Sequence, residues 1–202
     1  MKEKIEQIKQ KALQDHVPIL MDNTLEIMRE ILLENKPKDI LEIGTATGYS
    51  AICFSDILEN KCHIDTIELS ELRANKAKEN IKNLGLENNI NVLIGDAVEI
   101  LPTINKKYDM IFIDASKGKY PIFLEQALRL TAKGSIIIAD NVLYKGYVMS
   151  DYNKHKQRTA VRNLREFIQE ITTNKNMETK ILEVGDGLAI SKIREEKPTL
   201  KC

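Results

Sequence analysis

The feature that most constrains the fold is a strand, a glycine turn and the start of a helix, which occupy residues 38–54. Gly44 and Gly48 stand four positions apart inside this segment. Glycine at such positions lets the backbone turn tightly and approach a ligand closely. The helix that follows offers free amide hydrogens and the positive end of its dipole. This arrangement is typical of a nucleotide-like ligand bound at the carboxyl edge of a parallel sheet.

The glycine spacing excludes two common phosphate-binding motifs. No Gly-Lys-Ser/Thr follows, so the turn is not a P-loop, and the third glycine of a dinucleotide fingerprint is missing. A second strand over residues 63–67 ends at Glu68, where a carboxylate can accept both hydroxyls of a ribose. Two glycines after a strand are mostly only a tight turn, but together with Glu68 they predict a nucleoside site.

The apolar pattern elsewhere alternates between strand-like and helix-like segments. The predicted strands are residues 39–43, 63–67, 90–94, 108–113, 134–139, 177–184 and 188–193. The predicted helices are residues 2–15, 22–34, 48–58, 70–83, 97–101, 120–130 and 157–171. The last two strands lie too close together for a crossover helix, so they must pair antiparallel. We therefore expect an α/β protein with a doubly wound, seven-stranded, mostly parallel sheet and an antiparallel edge hairpin, forming one domain over residues 1–202.

Charge and cysteine usage narrow the class of protein. Thirty basic and thirty acidic residues balance, so contact with nucleic acid would need a local basic patch. Cys53, Cys62 and Cys202 lack the spacing of a zinc site and suit a reducing cytosol. The chain begins without a signal-peptide pattern, and no uncharged stretch is long enough to span a membrane. We expect a cytoplasmic protein with no membrane partner.

Acidic and amide side chains follow two of the predicted central strands. Asp114 comes after the fourth strand, and Asp140 and Asn141 come after the fifth. The carboxyl ends of parallel strands share one edge, so these three oxygen ligands would suit Mg²⁺ or Ca²⁺ better than Zn²⁺. The alternative is that they only cap loops and a helix. Because a nucleoside site is expected on the same edge, we favour the metal.

Lysines and arginines near this edge are candidates for catalysis or substrate binding. Lys117 stands three residues after Asp114, and a lysine beside a metal can have a lowered pKa and act as a base. The alternative is an ordinary loop lysine, and Lys119 and Lys145 either are that or bind substrate. The run from Asp151 to Arg165 carries five basic residues against one acidic residue. Such a run is more often a solvated helix face, but here it could hold a phosphate backbone.

These segments resemble class I S-adenosylmethionine-dependent O-methyltransferases. Within that class the chain is similar to the metal-dependent branch of catechol and caffeoyl-CoA O-methyltransferases. The matching segments are residues 41–50, 68, 95–97, 112–117 and 140–143. The resemblance implies a Rossmann-like methyltransferase fold, a Mg²⁺ or other hard divalent cation on Asp114, Asp140 and Asn141, and Lys117 and Asp114 as catalytic residues. The cofactor-binding residues that it implies are Leu20, Glu42, Gly44, Ser50, Glu68, Gly95, Asp96, Ala97 and Asp114.

A finer similarity is to bacterial tRNA 5-hydroxyuridine methyltransferases, carried by residues 17–19, 141–146 and 184–192. It implies methylation of wobble 5-hydroxyuridine to 5-methoxyuridine, with the tRNA anticodon loop as partner. The substrate-binding residues would be Lys119, Lys145, Arg158 and Arg162, and we expect a homodimer. The alternatives are an O-methyltransferase of a small catechol-like or caffeoyl-CoA-like substrate and a nucleoside-binding module without catalysis.

Overall fold

A computed structural model describes residues 1–151 and 157–194. The chain divides into two compact units, Met1–Ile100 and Leu101–Cys202. Each unit contributes strands to a seven-stranded sheet. The assignment of residues 1–202 to a single domain stays a prediction.

The first unit holds three strands and five helices among its described residues. Its strands are β1 (Asp39–Ile43), β2 (His63–Glu68) and β3 (Ile90–Ile94). Its helices are α1 (Lys2–Gln14), α2 (Asp22–Asn35), α3 (Tyr49–Ile57), α4 (Glu71–Asn83) and α5 (Ala97–Ile100). Ser70 caps α4 as predicted, since its hydroxyl accepts the amide of Arg73 at 3.4 Å. Strand β1 pairs in parallel with β2, and β2 pairs in parallel with β3.

The second unit holds the remaining four strands and two α-helices of the described chain. Its strands are β4 (Met110–Ile113), β5 (Ile136–Ala139), β6 (Met177–Leu182) and β7 (Leu188–Ile193). Its α-helices are α6 (Tyr120–Leu130) and α7 (Arg158–Thr173), and short 3₁₀ turns occupy Leu101–Thr103, Lys117–Lys119 and Tyr147–Met149. All residues of β4 and β5 are buried, as expected for central parallel strands.

The strand order is β3-β2-β1-β4-β5-β7-β6. Strand β7 pairs antiparallel with both β5 and β6, so it is the reversed strand that completes the predicted edge hairpin. The predicted fold class is confirmed. Strands β4 and β5 begin two residues later than predicted. Before β5 the chain still turns, because Gly134 has a φ of +91° and the amide of Ser135 donates to the carbonyl of Ala132 at 3.0 Å.

The cysteines and the apolar character of the helices bear on the expected chemistry and location of the protein. Cys53 and Cys62 are buried free thiols, and Cys202 lies outside the described residues. Across residues 1–151 and 157–194, none of the helices combines the length and the apolar character that crossing a membrane requires.

Candidate active site

The glycine turn takes the backbone conformation predicted for it. Gly44 has a φ of +108°, and its amide and that of Thr45 donate to the carbonyl of Ile67 at 3.0 and 3.2 Å. Gly48 has a φ of +81° at the start of α3, and a Cβ there would lie 3.2 Å from the Cβ of Ala77 on α4. Gly48 therefore permits both the left-handed turn and the close approach of α4.

Glu68 is held beside this turn by the backbone. Its side chain is buried, with 7% of the residue exposed. One carboxylate oxygen accepts the amide of Ala46 at 2.8 Å, and the other accepts the amide of Ser70 at 2.9 Å. A carboxylate can accept about four hydrogen bonds, so these two contacts orient Glu68 and leave acceptor positions for a ligand. The predicted pairing of Glu68 with the glycine turn is thus present in the structure.

Glu42 lies beneath the turn in a buried network of hydroxyl groups. Its carboxylate is fully buried and accepts hydrogen bonds from the hydroxyls of Ser50 and Thr66. The hydroxyls of Thr66 and Thr45 are in turn 2.6 Å apart. These contacts satisfy a carboxylate whose burial would otherwise be unfavourable. Sequence reasoning missed Thr45 and Thr66. The signal for Thr66 was a polar residue on β2 opposite Glu42, since the strand register pairs these two residues.

The segment after β3 joins the same end of the sheet. The amide of Gly95, whose φ is +145°, donates to the carbonyl of Glu68 at 2.9 Å. A side-chain oxygen of Asp96 accepts the amide of Val98 at 2.9 Å, and Ala97 is buried at the start of α5. Gly95 to Ala97 therefore lie where they could contact a ligand that is bound by Glu68. Leu20, in the segment that joins α1 to α2, is buried, and its role in cofactor binding stays a prediction.

The second unit brings together the four residues predicted from the ends of β4 and β5. The Lys117 Nζ lies 2.7 Å from the side-chain oxygen of Asn141 and 3.4 Å from a carboxylate oxygen of Asp114. The Asp140 amide donates to the carbonyl of Ile113 at 2.9 Å, which ties the two strand ends together. The side chains of Lys117 and Asp114 are 20% and 30% exposed, so a ligand can reach them.

Asp140 is the most buried member of this cluster, with 4% of the residue exposed. Burial, and then the charge of Asp114, raise the pKa of Asp140 to about 6, against the opposing hydrogen bond from the amide of Asn141. That amide lies 2.7 Å from a carboxylate oxygen of Asp140. Ionisation of Asp140 is therefore less favourable than in water, and a further positive charge nearby would favour it.

The donor atoms of this cluster fit a hard divalent cation. Asp114, Asp140 and Asn141 supply oxygen ligands of the type that Mg²⁺ prefers. These ligands are two carboxylates and one amide. Within residues 1–151 and 157–194, no group of three or more His, Cys, Asp or Glu side chains could hold a metal ion. Lys117 already donates to the Asn141 oxygen, so a cation at these ligands would share that oxygen with Lys117 or displace its ammonium group.

The loops around the cluster are anchored by residues that sequence reasoning missed. The side-chain amide of Asn163 on α7 donates to the carbonyl of Gly118 at 2.6 Å, which holds the turn that carries Lys117 and Lys119. After Asn141, the amide of Val142 donates to the carbonyl of Gly187 at 3.0 Å, and that of Leu143 donates to the carbonyl of Asp186 at 2.8 Å. The β6–β7 turn thus supports the loop that begins at Asn141.

Three arginines of α7 lie along one open depression. Arg158, Arg162 and Arg165 line it together with residues 148–151, and its volume is ≈ 590 Å³. Arg165 donates to the carbonyls of Tyr147, Val148 and Ser150, so it fastens this loop to α7. Lys145 is exposed in the same loop, whereas Lys154 and Lys156 lie outside the described residues. The predicted grouping of Arg158 with Arg162 is present.

Comparison with known proteins gives the family. The profile of a family described as O-methyltransferase matches residues 2–194. The catechol O-methyltransferase of Niastella koreensis is 34% identical over 166 residues, which are 78% of this chain and 74% of that protein. The chain therefore belongs to the O-methyltransferase family.

Solved structures agree with this assignment. A Staphylococcus aureus protein, provisionally described as a caffeoyl-CoA O-methyltransferase, is 34% identical with a TM-score of 0.87, covering 94% of this chain and 91% of its own. A Bacillus cereus O-methyltransferase in complex with SAH is 27% identical with a TM-score of 0.85, covering 95% of this chain and 91% of its own.

Proposed function

We propose that the protein transfers a methyl group from S-adenosylmethionine to a hydroxyl of a small catechol-like substrate, which carries a second oxygen beside the reacting one. The observation that carries this proposal is the cluster of Lys117, Asn141 and Asp114, with Nζ–O distances of 2.7 and 3.4 Å. It occurs in a chain that is 34% identical to a catechol O-methyltransferase.

The cofactor is assigned to the glycine turn and its neighbours. Glu68 would accept the ribose hydroxyls with the acceptor positions that the amides of Ala46 and Ser70 leave available. Gly44 and Gly95 bring backbone close to the ligand, and Ser50 is held in place by Glu42. The remaining contacts in the proposal are Leu20, Asp96, Ala97 and Asp114. The SAH complex of the Bacillus cereus relative supports a cofactor of this kind.

Lys117 is assigned the proton that the substrate hydroxyl loses. As the oxygen attacks, an O–C bond would form, the bond between the methyl carbon and the sulfonium sulfur would break, and the proton would pass to Nζ of Lys117, whose ammonium group must first release a proton to solvent. Asn141 fixes the position of Nζ through its 2.7 Å contact. The products are a methyl ether, S-adenosylhomocysteine and an ammonium group on Lys117, so charge and atoms balance. Positioning the oxygen and the methyl group in line supplies much of the remaining acceleration.

Asp114, Asp140 and Asn141 would hold a divalent cation such as Mg²⁺. When bound, such a cation lowers the pKa of a hydroxyl on the substrate and orients two neighbouring oxygens. The buried Asp140 supports this assignment, since its pKa is raised to about 6 by burial and by Asp114. A nearby cation would favour its ionised form.

The second candidate substrate is 5-hydroxyuridine in tRNA. This base presents O5 beside O4, which is the same two-oxygen arrangement as a catechol. The observation that favours it is the depression lined by Arg158, Arg162 and Arg165, where phosphates of an anticodon loop could bind. Lys119 and Lys145 would extend this basic surface in the proposal.

One experiment separates the two substrates. Purified protein would receive labelled S-adenosylmethionine, Mg²⁺, a simple catechol and hypomodified tRNA at equal concentrations. Label in the catechol supports the first proposal, and label in tRNA alone supports the second. Label in neither, with the variant Lys117→Met as the background, would contradict both.

Assembly and location are also part of the proposal. We propose a homodimer in the cytoplasm, which light scattering after size-exclusion chromatography and cell fractionation would test. A monomer at micromolar concentration would contradict the dimer.

A further inference from the structure

A cavity in the first unit is lined by residues with no role in the proposed methyl transfer. It lies between α1 and α4 and has a volume of ≈ 380 Å³. Its polar lining includes Lys4, Gln7, Lys11, Thr47, Lys76 and Asn80. We call it the Thr47 cavity. Its volume falls in the range of cavities that hold small organic ligands.

One buried hydroxyl of the lining, that of Thr47, lacks a hydrogen-bond partner in the part of the chain that the structure describes. Thr47 is 7% exposed, and its Oγ1 is buried with no hydrogen-bond partner in the described structure. The position of Thr47 is well defined, because its carbonyl accepts the side-chain amide of Asn80 at 2.9 Å. Buried hydroxyls normally have a partner. Because Oγ1 exposes less than 1 Å², a turn of the Thr47 side chain about χ1 would present it to a ligand in the cavity.

The charge of the lining selects an anionic ligand. Lys4, Lys11 and Lys76 line the cavity together with a single carboxylate, that of Asp15. Lys4 donates to the carbonyl of Asn83 at 3.0 Å, and Lys11 pairs with Asp15 at 2.9 Å. Lys76 pairs with Glu79 on the same helix at 2.9 Å. Exposed ion pairs of this kind contribute little to stability, so the ammonium groups can turn to a better acceptor.

We propose that the Thr47 cavity binds the phosphate group of a small phosphate monoester. A phosphate dianion offers several acceptor oxygens, which match ammonium groups from both helices and the hydroxyl of Thr47. The space beyond one phosphate admits a small organic group. Thr47 stands next to Gly48 in the glycine turn, so the occupant touches the segment that the proposed function assigns to the methyl donor. The phosphate site itself does not depend on that function.

Titration calorimetry with two probes, inorganic phosphate and ribose 5-phosphate, tests the proposal at matched ionic strength in chloride. We expect saturable binding of ribose 5-phosphate, tighter than that of inorganic phosphate. Binding of inorganic phosphate with equal affinity would show that the organic group is not recognised and would overturn the monoester assignment. Absence of saturable binding by either probe would overturn the site.

Charge-matched variants locate the binding. Lys11→Gln with Lys76→Gln should weaken ribose 5-phosphate binding by about ten-fold or more, since two charged contacts are lost. Lys2→Gln with Lys82→Gln removes one charge from each of the same helices outside the lining and should change the affinity by less than about two-fold. Equal losses in both pairs would show a non-specific charge effect and overturn the proposal.

Thr47→Val tests the hydroxyl itself, because it removes the oxygen and keeps the shape. It should weaken ribose 5-phosphate binding by roughly three- to ten-fold. The unliganded variant should melt at a higher temperature, since an unpartnered buried hydroxyl is removed. A variant that binds the probe as tightly as the natural protein would show that Thr47 is not a ligand and overturn the site as proposed.

Discussion

The two groups of residues assigned to the reaction differ in what holds them in place. Around the glycine turn, Glu68 is oriented by the backbone amides of Ala46 and Ser70, and Glu42 by buried hydroxyls. In the second unit, Lys117 meets Asp114 and Asn141 through side chains alone, one of them at 3.4 Å. The first group is therefore built by the fold, whereas the second can rearrange when a cation or substrate arrives. The difference suits a binding site that is formed in advance and a chemical site whose contacts must change during the reaction.

Removal of divalent cations should have the largest effect on methyl transfer, because the proposal assigns a cation to Asp114, Asp140 and Asn141. We expect EDTA to abolish methyl transfer and Mg²⁺ to restore it, as measured by transfer of label from S-adenosylmethionine. Cofactor affinity measured by calorimetry should stay within about three-fold, since Glu68 and the glycine turn need no metal. Full turnover in chelator would remove the cation from the mechanism.

Replacement of Lys117 should have the second-largest effect on methyl transfer. Lys117→Met keeps an unbranched side chain but removes the proton acceptor, so kcat should fall by about 10²–10⁴-fold. Lys119→Met, two residues further along the same turn, is the matched control and should leave kcat for a simple catechol within about three-fold, since the role proposed for Lys119 concerns tRNA. Similar kcat losses in the two variants would mean that the turn, and not the amine of Lys117, matters.

Gly48→Ala tests whether the fold builds the glycine turn. Gly48 and Gly85 both have positive φ, at +81° and +70°, but a Cβ meets Ala77 at 3.2 Å only at the first, while the second has nothing within 4 Å. Backbone strain alone should lower the free energy of unfolding by about 1–2 kcal/mol in either variant. Crowding should add roughly 1 kcal/mol at Gly48. Urea denaturation measures the free energy of unfolding of the Gly48→Ala and Gly85→Ala variants. Equal losses in the two would mean that α4 moves away from the added Cβ with no loss of stability.

Glu68→Gln should weaken cofactor binding by about ten-fold, because a charged acceptor becomes a neutral amide that can supply only one acceptor oxygen. Calorimetry with S-adenosylhomocysteine measures the effect. Glu71→Gln, on the exposed first turn of α4, is the control and should bind the ligand like the natural protein. An unchanged affinity in Glu68→Gln would remove Glu68 from the cofactor site.

The arginines of α7 should give the smallest effect on chemistry. Reversal of charge in Arg158→Glu with Arg162→Glu should leave kcat for a simple catechol within about two-fold, since Arg162 pairs only weakly with Glu166 at 3.7 Å. With tRNA the same change should lower affinity and flatten its dependence on salt. Filter binding across a salt series measures this, and an unchanged slope would separate these arginines from phosphate binding.

Features that depend on local pattern could be predicted from the sequence. The apolar runs located the central strands, and Gly44, Gly48 and Glu68 marked one end of the sheet. Asp114, Asp140 and Asn141 could be grouped because parallel strands end at a common edge. The contacts of Thr66 with Glu42 and of Asn163 with Gly118 could not, since they depend on strand register and on helix packing. The predicted substrate, 5-hydroxyuridine in tRNA, is not shown, and the similarity to a catechol O-methyltransferase fits the small-molecule alternative better. Catechol and 5-hydroxyuridine offer the same pair of oxygens, so the surrounding surface decides between them.

The support of the Asn141 loop by the β6–β7 turn has a consequence for how the protein is made. Val142 and Leu143 donate to the carbonyls of Gly187 and Asp186, and a Cβ on Gly187 would collide with Leu143 at 2.4 Å. A nascent chain that has just passed Asn141 lacks these partners, because they are synthesised later. We expect the glycine turn to form early in translation, whereas the loop that begins at Asn141 becomes ordered only after the hairpin has emerged from the ribosome. Competence to bind the methyl donor would thus precede competence to use it.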